Sequence, residues 1–346
     1  MRIRTYKAVI LLAIFLIAEV NFTAHILAYE PLENSLENII FVGKDGGIYN
    51  SIQEAIDNAP EGTTILVKAG SYNEIIDIKK AICLIGENKE ATIINPISER
   101  NKYALCLGAP GAMIKNFSVT NGALGLYTTG IRVSAQATEI INCDIYNTPV
   151  GIAVWSSDNI IDSCTFWGCK DEGIALIGSE YSNCNKNTIN NCLFYDNCDG
   201  IELQYSSNNI ISFCKFYDNT HTGIDAISSS NNENTISNCE IFNNTVHGIY
   251  LSGSSRNKIT SCLISKNNDG NIVTYGDCFD NDIEGKEDNN IEPNQETSIS
   301  LKVLEEFVQS FQLNNEINTK SSIISRILEF LSNLIPYLKS LLNKFV

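Results

Sequence analysis

Six times between residues 130 and 283 this chain returns to Gly-Ile-x-(Leu/Val/Ala), and a return at so regular an interval leaves few folds open. The six are Gly130-Ile131-Arg132-Val133, Gly151-Ile152-Ala153-Val154, Gly173-Ile174-Ala175-Leu176, Gly200-Ile201-Glu202-Leu203, Gly223-Ile224-Asp225-Ala226 and Gly248-Ile249-Tyr250-Leu251. Each is followed by Ile-x-x-Cys-x-(Ile/Phe), centred on Cys143, Cys164, Cys192, Cys214, Cys239 and Cys262. Asn159, Asn187, Asn209, Asn234 and Asn257 stand five residues before five of these cysteines, and Thr138 holds that place before the first. A period of 21 to 27 residues marks a solenoid. The apolar runs are short and alternate with period two, so they are strands, and Asn, Asp, Ser and Gly clusters separate them as turns require. No helical stripe fills the gaps, so equivalent strands stack in parallel about 4.8 Å apart. The expected fold is all-β: a single-stranded right-handed parallel β-helix with Ile, Leu, Phe and Cys ladders inside.

Outside the repeat the chain changes character. Residues 1–28 read as a secretory signal peptide: Arg2, Arg4 and Lys7 precede an apolar run from Ala8 to Ala18, too short to span a bilayer. Cleavage at Ala24 or Ala28 leaves no transmembrane span and places the protein outside the cell or on its surface. Residues 38–285 form the β-helix, 286–298 an acidic linker and 299–346 a helical segment. In that segment Leu301, Leu304, Phe307, Val308 and Phe311, then Ile324, Ile327, Leu328, Leu331, Leu334, Leu338, Leu341 and Leu342, follow helical spacing. Such an amphipathic stripe has to be buried; a C-terminal cap, self-association and a membrane surface all remain open. A net charge of −16 argues against nucleic acid as a partner.

Tyr49 to Pro60 reads as a short amphipathic helix with a proline stop, placed to cover the open end of the first rung. Strands follow at Thr63–Val67, Ile75–Ile78 and Ala81–Gly86. This run of helix, TTILVKAGSYNEIIDI and AICLIGE resembles the start of the pectin lyase-like β-helix superfamily, and the later repeats are similar to NosD-type, or carbohydrate-binding and sugar-hydrolase (CASH), β-helix repeats. The likeness covers roughly residues 38–285. It implies the fold and a dealing with carbohydrate, but no single activity, since a widespread fold hosts many. Of the pectin methylesterase pattern only Gly70-Ser71-Tyr72-Asn73-Glu74 has a counterpart, and its later Gln, Asp and Arg motifs are missing. The Gly-His-Gly and Arg-Ile-Lys of polygalacturonase-like enzymes are missing too. Pectate lyases combine calcium-binding acids with an arginine base, whereas Arg132 lies three rungs from Glu202, about 14 Å. The copper delivery associated with the NosD name is not expected, because the chain has two methionines, one of them the initiator, and copper prefers Met, His and thiolate ligands.

Twelve cysteines in an exported chain suggest disulfides. Six of them share one inward position per rung, where stacked Cβ atoms are nearly 5 Å apart and a relaxed disulfide needs roughly 3.8 Å. Cys143 to Cys262 therefore form a buried thiol ladder, with cysteine acting as a small apolar residue. Cys169, Cys184 and Cys198 fall in turns or in the insertion Ser179–Asn187, which leaves a disulfide open among them.

With Gly+1 and Gly+3 inward, Gly+2 and Gly+4 face out. The Gly+2 ladder is Arg132, Ala153, Ala175, Glu202, Asp225 and Tyr250; the Gly+4 ladder is Ser134, Trp155, Ile177, Gln204, Ile227 and Ser252. Glu172, Asp199, His221, His247 and Asp269 come at the mouths of these strands. Glu202 and Asp225 are thus expected as a carboxylate pair on adjacent rungs, the candidate catalytic residues. Trp155, Gln204, His221, His247 and Tyr250 are the candidate substrate-binding residues. Paired carboxylates about 5 Å apart suit a retaining glycosidase, wider pairs an inverting one, and two close acids split their pKa values into an acid and a base. No cofactor is required; the one metal candidate is calcium at Asp196 and Asp218, with Asn243 a rung further. The sequence favours a secreted or cell-surface protein that binds a polysaccharide or belongs to the envelope. A glycoside hydrolase or polysaccharide lyase acting through Glu202 and Asp225 is one alternative, and a scaffold docking by residues 299–346 is another.

Overall fold

The computed structural model describes residues 39–287, apart from 44–46, 97–99, 101, 124, 126, 180, 183, 228 and 229. Every strand pairing in it is parallel, with each rung hydrogen-bonded to the next. Nine strands form one sheet, the front: Ile76–Ile78, Tyr103–Leu107, Thr129–Val133, Val150–Val154, Glu172–Ile177, Asp199–Gln204, Ile224–Ala226, His247–Ser252 and Gly270–Tyr275. Between successive front strands the chain makes two short strands, such as Ile160–Asp162 and Thr165–Trp167, or before the last front strand one longer strand, Lys258–Ser265, all belonging to a second sheet. The expected parallel β-helix is the fold found. The signal peptide, the residues of the acidic linker from 288 onward and the helical segment 299–346 lie outside the described residues. Among the described residues no helix is long and apolar enough to cross a membrane.

In the repeats from Ala137 to Lys266 each turn bends at three corners, and each corner is built alike: a residue in the left-handed region, then one whose side chain enters the core. At the middle corner the left-handed residues are Asn142, Ser163, Asn191, Phe213, Asn238 and Ser261, with φ between 49° and 57°, and each precedes a ladder cysteine. At the other two corners Asp158, Lys186, Asn208, Glu233 and Arg256 precede one asparagine ladder, while Asp196, Asp218, Asn243 and Lys266 precede a second. Left-handed backbone costs most residues free energy and Asn or Asp least, which is why the turns are rich in both.

The asparagine ladders satisfy the backbone that these corners bury. The side-chain Nδ2 of Asn187 donates to Asn209 Oδ1 at 3.1 Å, that of Asn209 to Asn234 Oδ1 at 3.0 Å and that of Asn234 to Asn257 Oδ1 at 3.2 Å. The same oxygens accept a backbone N–H from the rung before, as when Asn187 N donates to Asn209 Oδ1 at 2.8 Å. Asn197, Asn219, Asn244 and Asn267 repeat the arrangement at distances of 2.8–3.1 Å. This second ladder is not apparent from the repeat motif, because it lies in the variable stretch before each glycine.

Between the corners the core is a set of apolar columns. Ile131, Ile152, Ile174, Ile201, Ile224 and Ile249 stack in register behind the front sheet. Phe166, Phe194 and Phe216 stack face to face with centroids 4.7 and 4.6 Å apart. Each such side chain contributes about 1.5–3 kcal/mol on burial. The six ladder cysteines are buried to within 2%, and all twelve cysteines are free thiols. The disulfide left open among Cys169, Cys184 and Cys198 is therefore not formed. Cys169 donates its backbone N–H to Asn197 Oδ1 at one corner, while Cys184 donates its thiol to Val154 O beside the insertion.

The repeat glycine is a steric requirement. A Cβ built on Gly200 would lie 2.5 Å from Gly223 O and 2.5 Å from Phe216, and one on Gly173 would lie 2.8 Å from both Gly200 O and Phe194. Capping the first rungs is the helix α1, Ile52–Asn58, which buries Ile52, Ala55 and Ile56. Ser51 caps it, and Glu74 reaches back to accept from Ser51 Oγ at 2.5 Å, Ile52 N at 2.8 Å and Gln53 N at 3.1 Å. In this chain Glu74, the last residue of the esterase-like segment, anchors a helix N-terminus.

Replacing Asn209 by Ala strips the acceptor from both donors of Asn187 and is expected to cost about 2–4 kcal/mol, seen as a lower urea midpoint. Asn208→Gly, one residue earlier at φ 58°, is expected to stay within about 1 kcal/mol of the parent.

Candidate functional site

The outward residues of the front sheet line up rung by rung as Asp77, Cys106, Arg132, Ala153, Ala175, Glu202, Asp225, Tyr250 and Val273. Glu202 and Asp225 are direct neighbours on adjacent strands, as the spacing requires. Gln204 lies beside Glu202, its Nε2 3.3 Å from Glu202 Oε1. His221 reaches the same group: its Nδ1 lies 2.8 Å from Asp199 Oδ1 and 4.0 Å from Asp225 Oδ2. His247 and Tyr250 sit one rung further, stacked on each other with centroids 5.2 Å apart. Trp155 is elsewhere. It packs over Ala153 and Ala175 together with Ile177, and the Arg132 guanidinium covers it at 5.0 Å while also lying 5.1 Å from the Tyr103 ring. Asp196, Asp218 and Asn243 occupy exposed left-handed corner positions, away from the acidic group on the front face.

Glu172 and Asp199, set at the strand mouths by the sequence pattern, belong to the centre of the group. Glu172 pairs with Asp199 and Ile174 with Ile201, both at an offset of 27 residues. The acids before these two glycines meet the same group, Asp199 Oδ1 lying 2.8 Å from His221 Nδ1 and Glu172 feeling the Glu202 charge. Glu172 is 6% exposed, Asp199 5% and Asp225 4%. The trace in the sequence was an acid directly before glycine in two successive repeats, the second followed by Glu202.

Burial raises the pKa of every member of this group. Glu172 is pushed up to about 9, first by desolvation and then by the Glu202 and Asp171 charges. Glu202, which shares a hydrogen bond with Glu172, is raised to about 7, chiefly by desolvation. Asp225 is raised to about 7 by burial and then by Asp199 and Glu202. Asp199 is raised by burial, opposed by His221 and the Thr222 N–H. Near neutral pH the Glu172–Glu202 pair retains a proton while its neighbours supply acceptors, an arrangement suited to acid–base chemistry.

The family described as right handed beta helix region matches at residues 70–232, 129–288 and 182–324. A pectinesterase/pectinesterase inhibitor of Arabidopsis thaliana, number 18, is 35% identical over 123 residues, 31% of this chain and 22% of the relative. A pectinesterase of Petunia integrifolia is 30% identical over 156 residues, 40% of this chain and 42% of the relative. The chain thus spans less than half the length of these curated relatives. Among solved structures, the A-module of a mannuronan C-5 epimerase from Azotobacter vinelandii superposes with a TM-score of 0.55 at 13% identity, over 73% of this chain and 98% of the module. The enzymatically active domain of tailspike protein 2 of bacteriophage CBA120 gives 0.55 at 15% identity, over 67% and 40%. These two likenesses concern the fold.

Glu172→Gln removes a carboxyl that holds its proton to about pH 9 in the folded chain but only to about 4.3 once unfolded. A raised folded pKa contributes stability that is complete below the unfolded value and lost as the pH rises through the folded one. In metal-free buffer the variant is expected to melt at least ~2 °C above the parent at pH 9 and together with it at pH 4, in paired thermal scans.

Proposed function

This chain belongs to the right-handed β-helix family, within the pectin lyase-like superfamily, and from that premise we propose that it is an exported protein that binds a polysaccharide along its front face and hydrolyses it there. The observation that carries the reading is the convergence of Glu172, Asp199, Glu202 and Asp225 in a largely buried acidic group on that face. Pectinesterase relatives support a carbohydrate partner, and the basic and apolar start of the chain supports export.

The chemistry divides between two neighbouring rungs. Glu202, sharing the proton of Glu172, gives a proton to the glycosidic oxygen as its bond to the anomeric carbon breaks. Asp225, its direct neighbour on the next strand, attacks that carbon to form a glycosyl–enzyme bond, and Glu202 then takes the proton of the water that releases the sugar, the retaining course that so close a pair suits. Gln204 and Tyr250 flank the carboxylates and provide a hydrogen-bonding group and an apolar ring edge. The four acids weigh against a polyanionic sugar at this point of the face and favour a neutral one.

Depolymerisation of a panel of neutral and acidic cell-wall polysaccharides, followed by reducing-end release, tests this. New reducing ends without unsaturated products are expected, and Glu202→Gln is expected to lower kcat by about 10²–10⁴-fold. Turnover unchanged in Glu202→Gln would overturn the catalytic assignment. Binding without turnover, weakened by Tyr250→Ala, would reduce the function to polysaccharide binding.

A further inference from the structure

Asp199, His221 and Asp225 each offer a ligand atom, and these atoms lie within 4.8 Å of one another. The imidazole sits at the centre, 2.8 Å from one carboxylate and 4.0 Å from the other. A tetrahedral zinc with bonds of about 2.0–2.2 Å separates its ligand atoms by about 3.3–3.5 Å, so side-chain movements that change these separations by at most about 1.5 Å would seat an ion here. The Asp199 carboxylate is already oriented from behind, because the Thr222 N–H donates to its Oδ1 at 2.7 Å, the kind of outer support that metal-binding carboxylates have.

A second observation points to a ligand. Asp225 is 4% exposed, and its Oδ1 has no hydrogen-bond partner among the described residues. A buried carboxylate oxygen without a donor is costly. Charge makes the same case: Glu172, Asp199, Glu202 and Asp225 converge, and among the described residues no lysine or arginine lies within ion-pair distance of any of them, His221 being the one basic side chain there. Arg132, on the same face, is three rungs away between two rings.

We propose that Asp199, His221 and Asp225 form a binding site for a divalent first-row transition ion of the zinc class, with a coordination position left for water or a sugar hydroxyl. The imidazole excludes a purely hard ion such as calcium from first preference, since calcium takes oxygen ligands and an imidazole suits zinc, iron or nickel. The bound ion supplies the positive charge that the group lacks and acidifies its own water. The site concerns the same side chains as the hydrolytic reading but does not depend on it, because binding is read without turnover.

The test is isothermal titration of the chelator-stripped full chain with Zn²⁺ and, separately, with Ca²⁺, on the parent, His221→Ala and Asp225→Asn. One equivalent of zinc that both substitutions weaken by at least about tenfold is the expected result, with the far-UV spectrum of each variant unchanged. Zinc held by the accessible thiols would persist in both variants, so an uptake that neither variant alters overturns the site. Calcium binding as tightly as zinc, or no saturable zinc binding, overturns it as well. Co²⁺ loading provides an independent reading: visible absorption bands of a low-symmetry nitrogen–oxygen site in the parent, lost in His221→Ala, are expected. Bands of cobalt–thiolate character alone would refute the assignment.

Discussion

The structure depends on one spacing, the rise of about 4.8 Å from one parallel strand to the next. Everything that stacks has to satisfy its neighbour at that distance, and the corners are where this is hardest, since they bury backbone between strands. Asparagine meets the requirement because its amide carries both an acceptor and donors. In the run from Asn187 to Asn257 each Oδ1 takes the N–H and the Nδ2 of the rung before. The ladder works as a chain of mutually oriented dipoles, and its members cannot be exchanged singly for an apolar residue without orphaning a buried donor. Cysteine fills the third corner for a different reason. It is small, apolar and able to give its thiol proton to a carbonyl two residues earlier, as Cys192 does to Asn190 O at 3.2 Å.

The same spacing creates the candidate site. A front sheet of nine parallel strands places equivalent outward residues in columns, so acids that are 23 residues apart in the chain, such as Glu202 and Asp225, become neighbours. Columns of this kind concentrate like charge, a liability for stability and a resource for chemistry. The raised pKa values of Glu172, Glu202 and Asp225 express both. The fold tolerates the group because the apolar columns behind it, Ile174 to Leu176 and Ile201 to Leu203, are buried whatever stands in front.

Aromatic rings on this molecule divide into two populations. Tyr146, Trp167, Tyr195, Tyr217 and Phe242 stack upon one another along an outer face, so their faces are spent on each other. Trp155 is similarly engaged with Arg132. An aromatic residue beside an acidic group suggests sugar stacking from the sequence, but the stacking partner in this chain is a guanidinium, and Tyr250 is left with His247.

The sequence by itself determined the solenoid, its strand positions, its inward and outward faces and the pairing of Glu202 with Asp225. Period and alternation are local properties, and stacking identical units admits one register. Tertiary structure alone decided the rest. Contacts across the rungs bring Glu172 and Asp199 into the front group. The second asparagine ladder, the free state of Cys169 and Cys184, and the use of Glu74 as a helix anchor were equally hidden. Each depends on which atoms meet across rungs, a matter of ångströms that a residue pattern does not carry. The convergence of Asp199, His221 and Asp225 within 4.8 Å belongs to the same class: three residues near two glycines in sequence, brought to one point because the corner bends there.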